Sequence, residues 1–180
     1  SGIPRVKFVS GYHPKFSEGT FGVAVRGKKE ESDSLKAKLE QLGAEIFFGK
    51  VALKPGKPTV FGKLKKAFVF GLPGNPVSAA VTFHLFVRRL IGRMQGIANP
   101  FLKDGTAVVG ARMKGTRERS SYLPASLSTD ADGRLVATPI RWFGSSDFVG
   151  FAATDALVFV PAGEAVEAGE TVKISFLLRY

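Results

Sequence analysis

The sequence predicts an α/β segment over residues 1–98, a linker over 99–105 and a small all-β module over 106–180. Three features point there. An apolar strand at 67–70 runs straight into the loop Gly71-Leu-Pro-Gly-Asn-Pro76 and then into a long amphipathic helix. Pro100 sits in a stretch that has no helical or strand period. From Thr106 onward short β segments recur at 107–113, 121–127, 135–138, 156–160 and 172–178. Strands this short and this closely spaced suit a closed or sandwich-like β module.

Taken in order, 6–9 and 21–25 read as strands, the second ended by Arg26, Gly27 and the charged run 28–31. Ser32 or Asp33 is placed to cap a helix with Leu35, Leu39 and Leu42 on one face, and Gly43 supplies its stop. Residues 44–48 have the composition of a strand. The turn-rich Lys54-Pro-Gly-Lys-Pro58 then interrupts any ladder, because a proline nitrogen carries no hydrogen to donate. Residues 59–61 and 67–70 pair as strands around the basic turn 62–66. Asn75 is a candidate N-cap, and Pro76 takes the first helical position, where its missing N–H costs nothing. The helix is expected to reach Gln95, with Val77, Val81, Leu85, Leu90 and Met94 on its apolar face and Gly96 at its end. In the β module Asp130-Ala-Asp-Gly133 reads as a hairpin turn, with Gly133 free to take a positive φ.

With 180 residues, 44% of them hydrophobic, the chain has the material for a real core. A net charge of +11 favours an anionic partner: a phosphorylated small molecule, a nucleic acid or an acidic protein surface. The basic residues are dispersed, without a low-complexity tail or the aromatic and glycine signature of an RNA-binding sheet, so nucleic acid is the minor reading. No cysteine is present to form a disulfide or a thiolate zinc site, and His13 and His84 are too isolated to form a histidine metal cluster. The apolar run 81–91 is broken by His84, Arg88 and Arg89, which argues against a membrane span. Ser1-Gly-Ile-Pro-Arg5 lacks an apolar signal stretch, and a cytoplasmic protein is expected.

Several residues suggest chemistry, and each has a plainer role beside it. Lys54 and Lys57 flank a Pro-Gly pair, so two ammonium groups share a stiff loop whose backbone can approach a ligand at Gly56. They suit a phosphate or oxyanion, and they also read as solvated loop lysines. Pro73, Gly74, Asn75 and Ser78 open a helix whose free N–H groups favour an anion, though a tight strand-to-helix connection needs the same residues. Asp33 is a candidate metal carboxylate or simply a cap. Arg141, Trp142, Gly144, Ser145, Ser146 and Asp147 form a polar loop between β segments, with Trp142 better read as a packing anchor. His84 reads as a packed or surface histidine.

Three stretches, in order, carry a family resemblance. They are Leu42-Gly-Ala-Glu-Ile-Phe-Phe-Gly-Lys-Val-Ala-Leu-Lys-Pro-Gly-Lys-Pro58; Gly71-Leu-Pro-Gly-Asn-Pro-Val-Ser78 with the helix ending Arg93-Met-Gln-Gly96; and Thr138-Pro139 through Gly144-Ser-Ser-Asp147 to Ala156-Leu-Val-Phe-Val-Pro161. Across 33–178 the chain resembles the C-terminal portion of the molybdopterin molybdenumtransferases, the family of MoeA and the gephyrin E domain. One departure is clear. Where that family has a glycine-glycine-valine-serine turn, this chain has Arg26-Gly-Lys-Lys-Glu-Glu-Ser-Asp33, keeping only Gly27 and Asp33 in matching places.

The resemblance implies a truncated three-layer molybdopterin-binding-like domain followed by a small β domain like the family's domain IV. It implies insertion of molybdate into adenylylated molybdopterin with release of AMP, assisted by Mg²⁺. It also implies a homodimer in which the β domain faces the partner's α/β domain. On this implication Lys54 and Lys57 position the anionic pterin or molybdate, and Asp33 helps to hold Mg²⁺. Gly56, Pro73, Gly74, Asn75 and Ser78 then contact bound substrate, and Arg141, Ser145 and Ser146 complete a shared site. Two other readings stay open. A non-catalytic scaffold or dimerisation module is suggested by the lost turn, and a basic nucleic-acid-binding domain by the charge.

Overall fold

In the computed structural model the backbone is described for residues 5–9, 20–26, 29–140 and 148–177, and side chains for 35–140 and 150–177. In chain order the first elements are β1 (Arg5–Val9), β2 (Thr20–Arg26), α1 (Lys29–Gln41), β3 (Glu45–Phe48), β4 (Leu53–Lys54), β5 (Val60–Leu64) and β6 (Ala67–Pro73). A helix follows in three parts: α2 (Pro76–Thr82), a π turn (Phe83–Val87) and α3 (Arg88–Met94). The remainder is β7 (Asp104–Val109), β8 (Met113–Lys114), β9 (Ser120–Thr129), β10 (Leu135–Pro139), α4 (Phe148–Ala152), β11 (Ala156–Val160), β12 (Ala165–Val166) and β13 (Thr171–Phe176). Two compact units result, one of Ser1–Val51 with Gly56–Asn99, the other of Ala52–Pro55 with Pro100–Tyr180. Among the described residues no helix is long and apolar enough to cross a membrane.

The first unit is built on a five-stranded sheet in the order β1-β2-β6-β5-β3. The β1–β2 and β2–β6 pairs are parallel, and β6–β5 and β5–β3 are antiparallel. Side chains of successive strand residues alternate between faces. Val69 of β6 and Val60 of β5 therefore pack with Leu35 and Leu39 of α1. Phe70, Leu72 and Phe61 instead pack with Phe83, Phe86, Val87 and Leu90 of the second helix. Phe61 and Phe70 lie directly opposite each other in the ladder and stack at 4.2 Å between ring centroids, the kind of cross-strand pair that stabilises a sheet beyond area burial alone.

Three local expectations are corrected. Neither Ser32 nor Asp33 caps α1, which begins at Lys29 and carries both residues inside it. Lys29, Glu30 and Glu31 are good helix formers, and carboxylates suit the positive end of a helix. The segment from Gly71 to Pro73, read as loop, instead extends β6, because β2 reaches far enough to pair with it at Leu72 and Pro73. The helix starting at Pro76 ends at Met94, one residue short of the expected Gln95, with Gly96 just beyond it at φ +80°, and it is not uniformly α. The hydroxyl of Thr82 donates to the Ser78 carbonyl at 2.8 Å, and the helix widens into its π turn at the next residue. A side chain that competes for a helix carbonyl in this way bends or loosens the turn.

In the second unit β9, β10, β7, β13 and β11 pair in a closed ring, since β10 bonds both β7 and β9. A ring with an odd number of strands cannot alternate direction throughout. One pair must be parallel, and it is β10–β7. So small a ring has little room inside. Its core is accordingly filled by small and branched residues, among them Ala107, Ala125, Ala137, Ala156, Val158 and Ile174. The single strand expected over 107–113 is divided: β7 belongs to the ring, whereas β8 pairs with β12 in a separate ribbon. The hairpin between β9 and β10 turns at Gly133 (φ +77°) as expected. The Asp130 carboxylate holds that turn by accepting from the Arg134 and Asp132 amides at 2.9 and 3.0 Å. The Arg134 amide bond, with smaller help from the Arg134 guanidinium, keeps the Asp130 carboxyl below its ordinary pKa.

At Gly71 the sheet packs closely on α1, because a Cβ there would run into Leu35 Cδ2. Gly71→Val is expected to lower stability by about 1–3 kcal/mol, the usual range for overpacking. Urea unfolding measures it, and an unchanged midpoint would show that the helix can ride up at no cost.

Candidate functional site

Strand register brings three separate chain segments to one edge of the five-stranded sheet. β2 and β6 run in parallel with Arg26 beside Pro73, so α1 and α2 both begin just past the carboxyl ends of neighbouring strands. β5 runs the opposite way with Val60 opposite Gly71, so the Gly56–Thr59 turn that feeds it arrives at the same edge. In open α/β sheets this is the edge where ligands bind.

The turn is held tightly. The Gly56 carbonyl accepts from the Thr59 amide at 3.1 Å and the Thr59 hydroxyl at 2.6 Å, and the Val51 amide donates to the Lys57 carbonyl at 3.0 Å. Gly56 has φ +126°, and a Cβ on it would stand 2.5 Å from Cγ2 of Thr82, so both the backbone and the space demand glycine. The turn therefore rests on α2, one helical turn beyond Ser78. Lys57 is exposed, as an anion-binding ammonium must be.

The other expected residues divide. Asn75 occupies the N-cap position and Pro76 the first helical one, but the Asn75 side chain makes no capping bond to the helix. It is exposed, and the first turn of α2 carries no acidic residue to neutralise the helix end. Pro73 is buried and Gly74 half-buried. Ser78 is only 6% exposed, so its side chain is largely withdrawn from solvent. Lys54 does not share a free loop with Lys57. It is the second residue of β4, paired with Ser121 of β9 in the second unit, where the Arg119 guanidinium also donates to the Leu53 carbonyl at 3.1 Å. Asp33 lies within α1, while its side chain, like Arg141, Ser145 and Ser146, falls outside the described residues. Thr59 and Thr82 went unnoticed in the sequence. The spacing Ser78-x-x-x-Thr82 is a signal for Thr82 alone, since a helical threonine can bond the carbonyl four residues back.

Comparison with known proteins follows this division of the chain. Residues 106–177 match the family model of the MoeA C-terminal region (domain IV), and residues 30–93 match that of a probable molybdopterin binding domain. The chain is 36% identical over 147 residues to the molybdopterin molybdenumtransferase of Haemophilus influenzae, covering 80% of this chain and 36% of that protein. It is 32% identical over 143 residues to the protein of the same name from Bacillus subtilis, covering 79% and 33%. Among solved structures it is similar to the molybdopterin biosynthesis MoeA protein of Pyrococcus horikosii, with a TM-score of 0.71 and 28% identity over 89% of this chain and 37% of that one. The chain thus spans about a third of the length of these curated relatives.

His84 lies on the π turn, edge-on to Phe83 at 5.7 Å, with its Nδ1 buried and lacking a hydrogen-bond partner. Burial, and then the Arg88 charge, push its pKa below the ordinary 6.5. The folded state therefore resists a proton that the unfolded chain accepts, so the contribution of His84 is complete above pH 6.5 and drains away as pH falls toward the depressed folded value. The urea midpoint is expected to drop on acidification through this window, and His84→Leu to flatten that part of the profile. An identical slope in the variant would assign the effect to other groups.

Proposed function

Since the chain belongs to the MoeA family, we propose that it acts in molybdenum cofactor biosynthesis, inserting molybdate into adenylylated molybdopterin with release of AMP. The observation that supports this reading is the seating of the Gly56–Thr59 turn against Thr82 at the end of α2, with Lys57 exposed on the turn that enters at the sheet end where α2 begins. Both molybdate and the phosphates of the pterin are anions. A fixed ammonium and helix-start amides stabilise such charge best when placed before the substrate arrives. On this reading Lys57 and the exposed segment around Asn75 orient the oxyanions, Gly56, Pro73 and Gly74 allow close backbone approach, and Ser78 supports the helix start from within. Lys54, Arg141, Ser145 and Ser146 remain candidate substrate contacts.

The rest of the reading rests on the family. The first unit is taken as a truncated three-layer molybdopterin-binding-like domain and the second as domain IV, in a cytoplasmic homodimer. Mg²⁺ is assigned to Asp33. Among the described residues no group of three or more histidines or acids gathers to hold a metal. Mg²⁺ usually takes one or two carboxylates and completes its shell with water and substrate phosphate oxygens. When bound, it would neutralise phosphate charge at the leaving adenylyl group. The scaffold reading has one observation in its favour: α1 begins at Lys29, which leaves only Gly27 and Lys28 between β2 and the helix where the family has its glycine-rich turn.

The discriminating measurement is molybdate-dependent AMP release from adenylylated molybdopterin. Lys57→Ala is expected to lower it by about a hundredfold, the scale for losing one charge-stabilising donor, with circular dichroism unchanged. Full activity in Lys57→Ala would remove the anion-loop role. A folded, dimeric but inactive wild-type chain would favour the scaffold.

A further inference from the structure

Thr82 is fully buried at the last residue of α2, where the helix widens into its π turn. Its hydroxyl is committed to the helix itself, donating to the Ser78 carbonyl at 2.8 Å and lying 3.2 Å from the Ala79 carbonyl. A helical threonine divides between two χ1 rotamers because its hydroxyl can make such bonds. Here the back-bond selects one, and the selected rotamer directs the methyl at Gly56, where an added Cβ would stand 2.5 Å from Cγ2 and 4.0 Å from Cβ of Thr82. On the other side of that contact, the two bonds from Thr59 to the Gly56 carbonyl make the turn internally stiff. A stiff turn resting on one oriented methyl has its height above the helix set by that methyl.

We infer that Thr82 is a positioning residue for Lys57. It touches no substrate. Its hydroxyl fixes its rotamer, its methyl fixes Gly56, and Gly56 carries the adjacent ammonium to a set place relative to the helix start. The inference rests on the reading that Lys57 binds an anionic substrate and adds a residue that this reading did not contain. Side-chain chemistry makes the role specific to threonine. Valine keeps a methyl but loses the back-bond and turns a second methyl toward the Ser78 carbonyl. Serine keeps the back-bond and leaves a gap under Gly56.

The test compares Thr82→Ser, Thr82→Val, Gly56→Ala and the double variant G56A/T82S in the full chain, with Lys57→Ala beside them. Two readouts are used: KM for adenylylated molybdopterin and kcat in the AMP-release assay, and hydrogen exchange at the Val51 and Thr59 amides. Both Thr82 variants are expected to raise KM about tenfold with a smaller change in kcat, since a slightly misplaced binding group costs affinity and alignment before it costs folding. Exchange at Val51 and Thr59 is expected to quicken while the β5–β6 ladder stays protected. Gly56→Ala is expected to raise KM further, and T82S on that background to lower it part of the way back by removing the colliding methyl. Such non-additivity is the signature of direct contact. Wild-type KM and exchange in Thr82→Ser, or strictly additive effects in the double variant, overturn the inference while a defective Lys57→Ala leaves the parent reading standing. A fully active Lys57→Ala overturns both. If Thr82→Val fails to fold, Thr82→Ser, which deletes one methyl, decides the matter.

Discussion

The alignment of three strand ends governs the candidate site. Pairing Arg26 with Pro73 puts the starts of α1 and α2 side by side, and pairing Val60 with Gly71 brings the incoming Gly56–Thr59 turn to meet them. A shift of one residue in the β5–β6 register would turn Phe61 away from Phe70 and expose the apolar face that both strands bury. The stacked ring pair and the alternating packing of Val60 and Phe61 therefore hold the register, and through it the place where the turn enters. Hydrophobic packing far from any ligand is in this sense the origin of the site's geometry.

The closed ring of the second unit imposes a different constraint. Its interior is filled mainly by small or branched side chains, and its odd strand number forces one parallel seam. β9 has partners in the ring on both sides yet, being ten residues long, still offers Ser120 and Ser121 to β4. This draws Leu53 and Lys54 out of the first unit. The sequence Lys54-Pro-Gly-Lys-Pro58 is consequently divided between the two units: the Lys54 backbone is held by the ladder of β9, and Lys57 lies in the turn on α2. The two lysine backbones are held by independent means, and proline on either side of Gly56-Lys57 is tolerated because neither nitrogen is asked for a ladder bond.

What the sequence revealed and what it hid have distinct physical causes. Period and punctuation located the helix from Pro76 to Met94 and most of the strands, because a proline at the first helical position, a glycine beyond the end and alternating apolar residues are local signals. The start of α1 was misplaced because Lys29, Glu30 and Glu31 suit a helix interior as well as a polar boundary, so local chemistry did not choose. The split of 107–113 and the pairing of Lys54 were invisible for another reason. Both depend on partners dozens of residues away, β12 in one case and β9 in the other. At the site, the glycines and lysines were legible as types, whereas the threonines that hold the turn were not, since Thr59 and Thr82 acquire meaning only once Gly56 is seen lying on the helix.

Burial then separates the groups that shape the site from those able to meet a ligand. Thr59, Ser78 and Thr82 are all nearly or fully buried, and a buried polar group must find a partner or carry a desolvation cost. The hydroxyls of Thr59 and Thr82 find theirs in carbonyls three and four residues away. Bonds this local do little to join distant parts of the chain. They hold the backbone of the turn and the rotamer of Thr82 in place. The Ser78 carbonyl is the acceptor that anchors Thr82, and its side chain is largely withdrawn from solvent. The exposed groups at this edge are Lys57 and Asn75, while the buried Thr59 and Thr82 bond the turn and the helix from within.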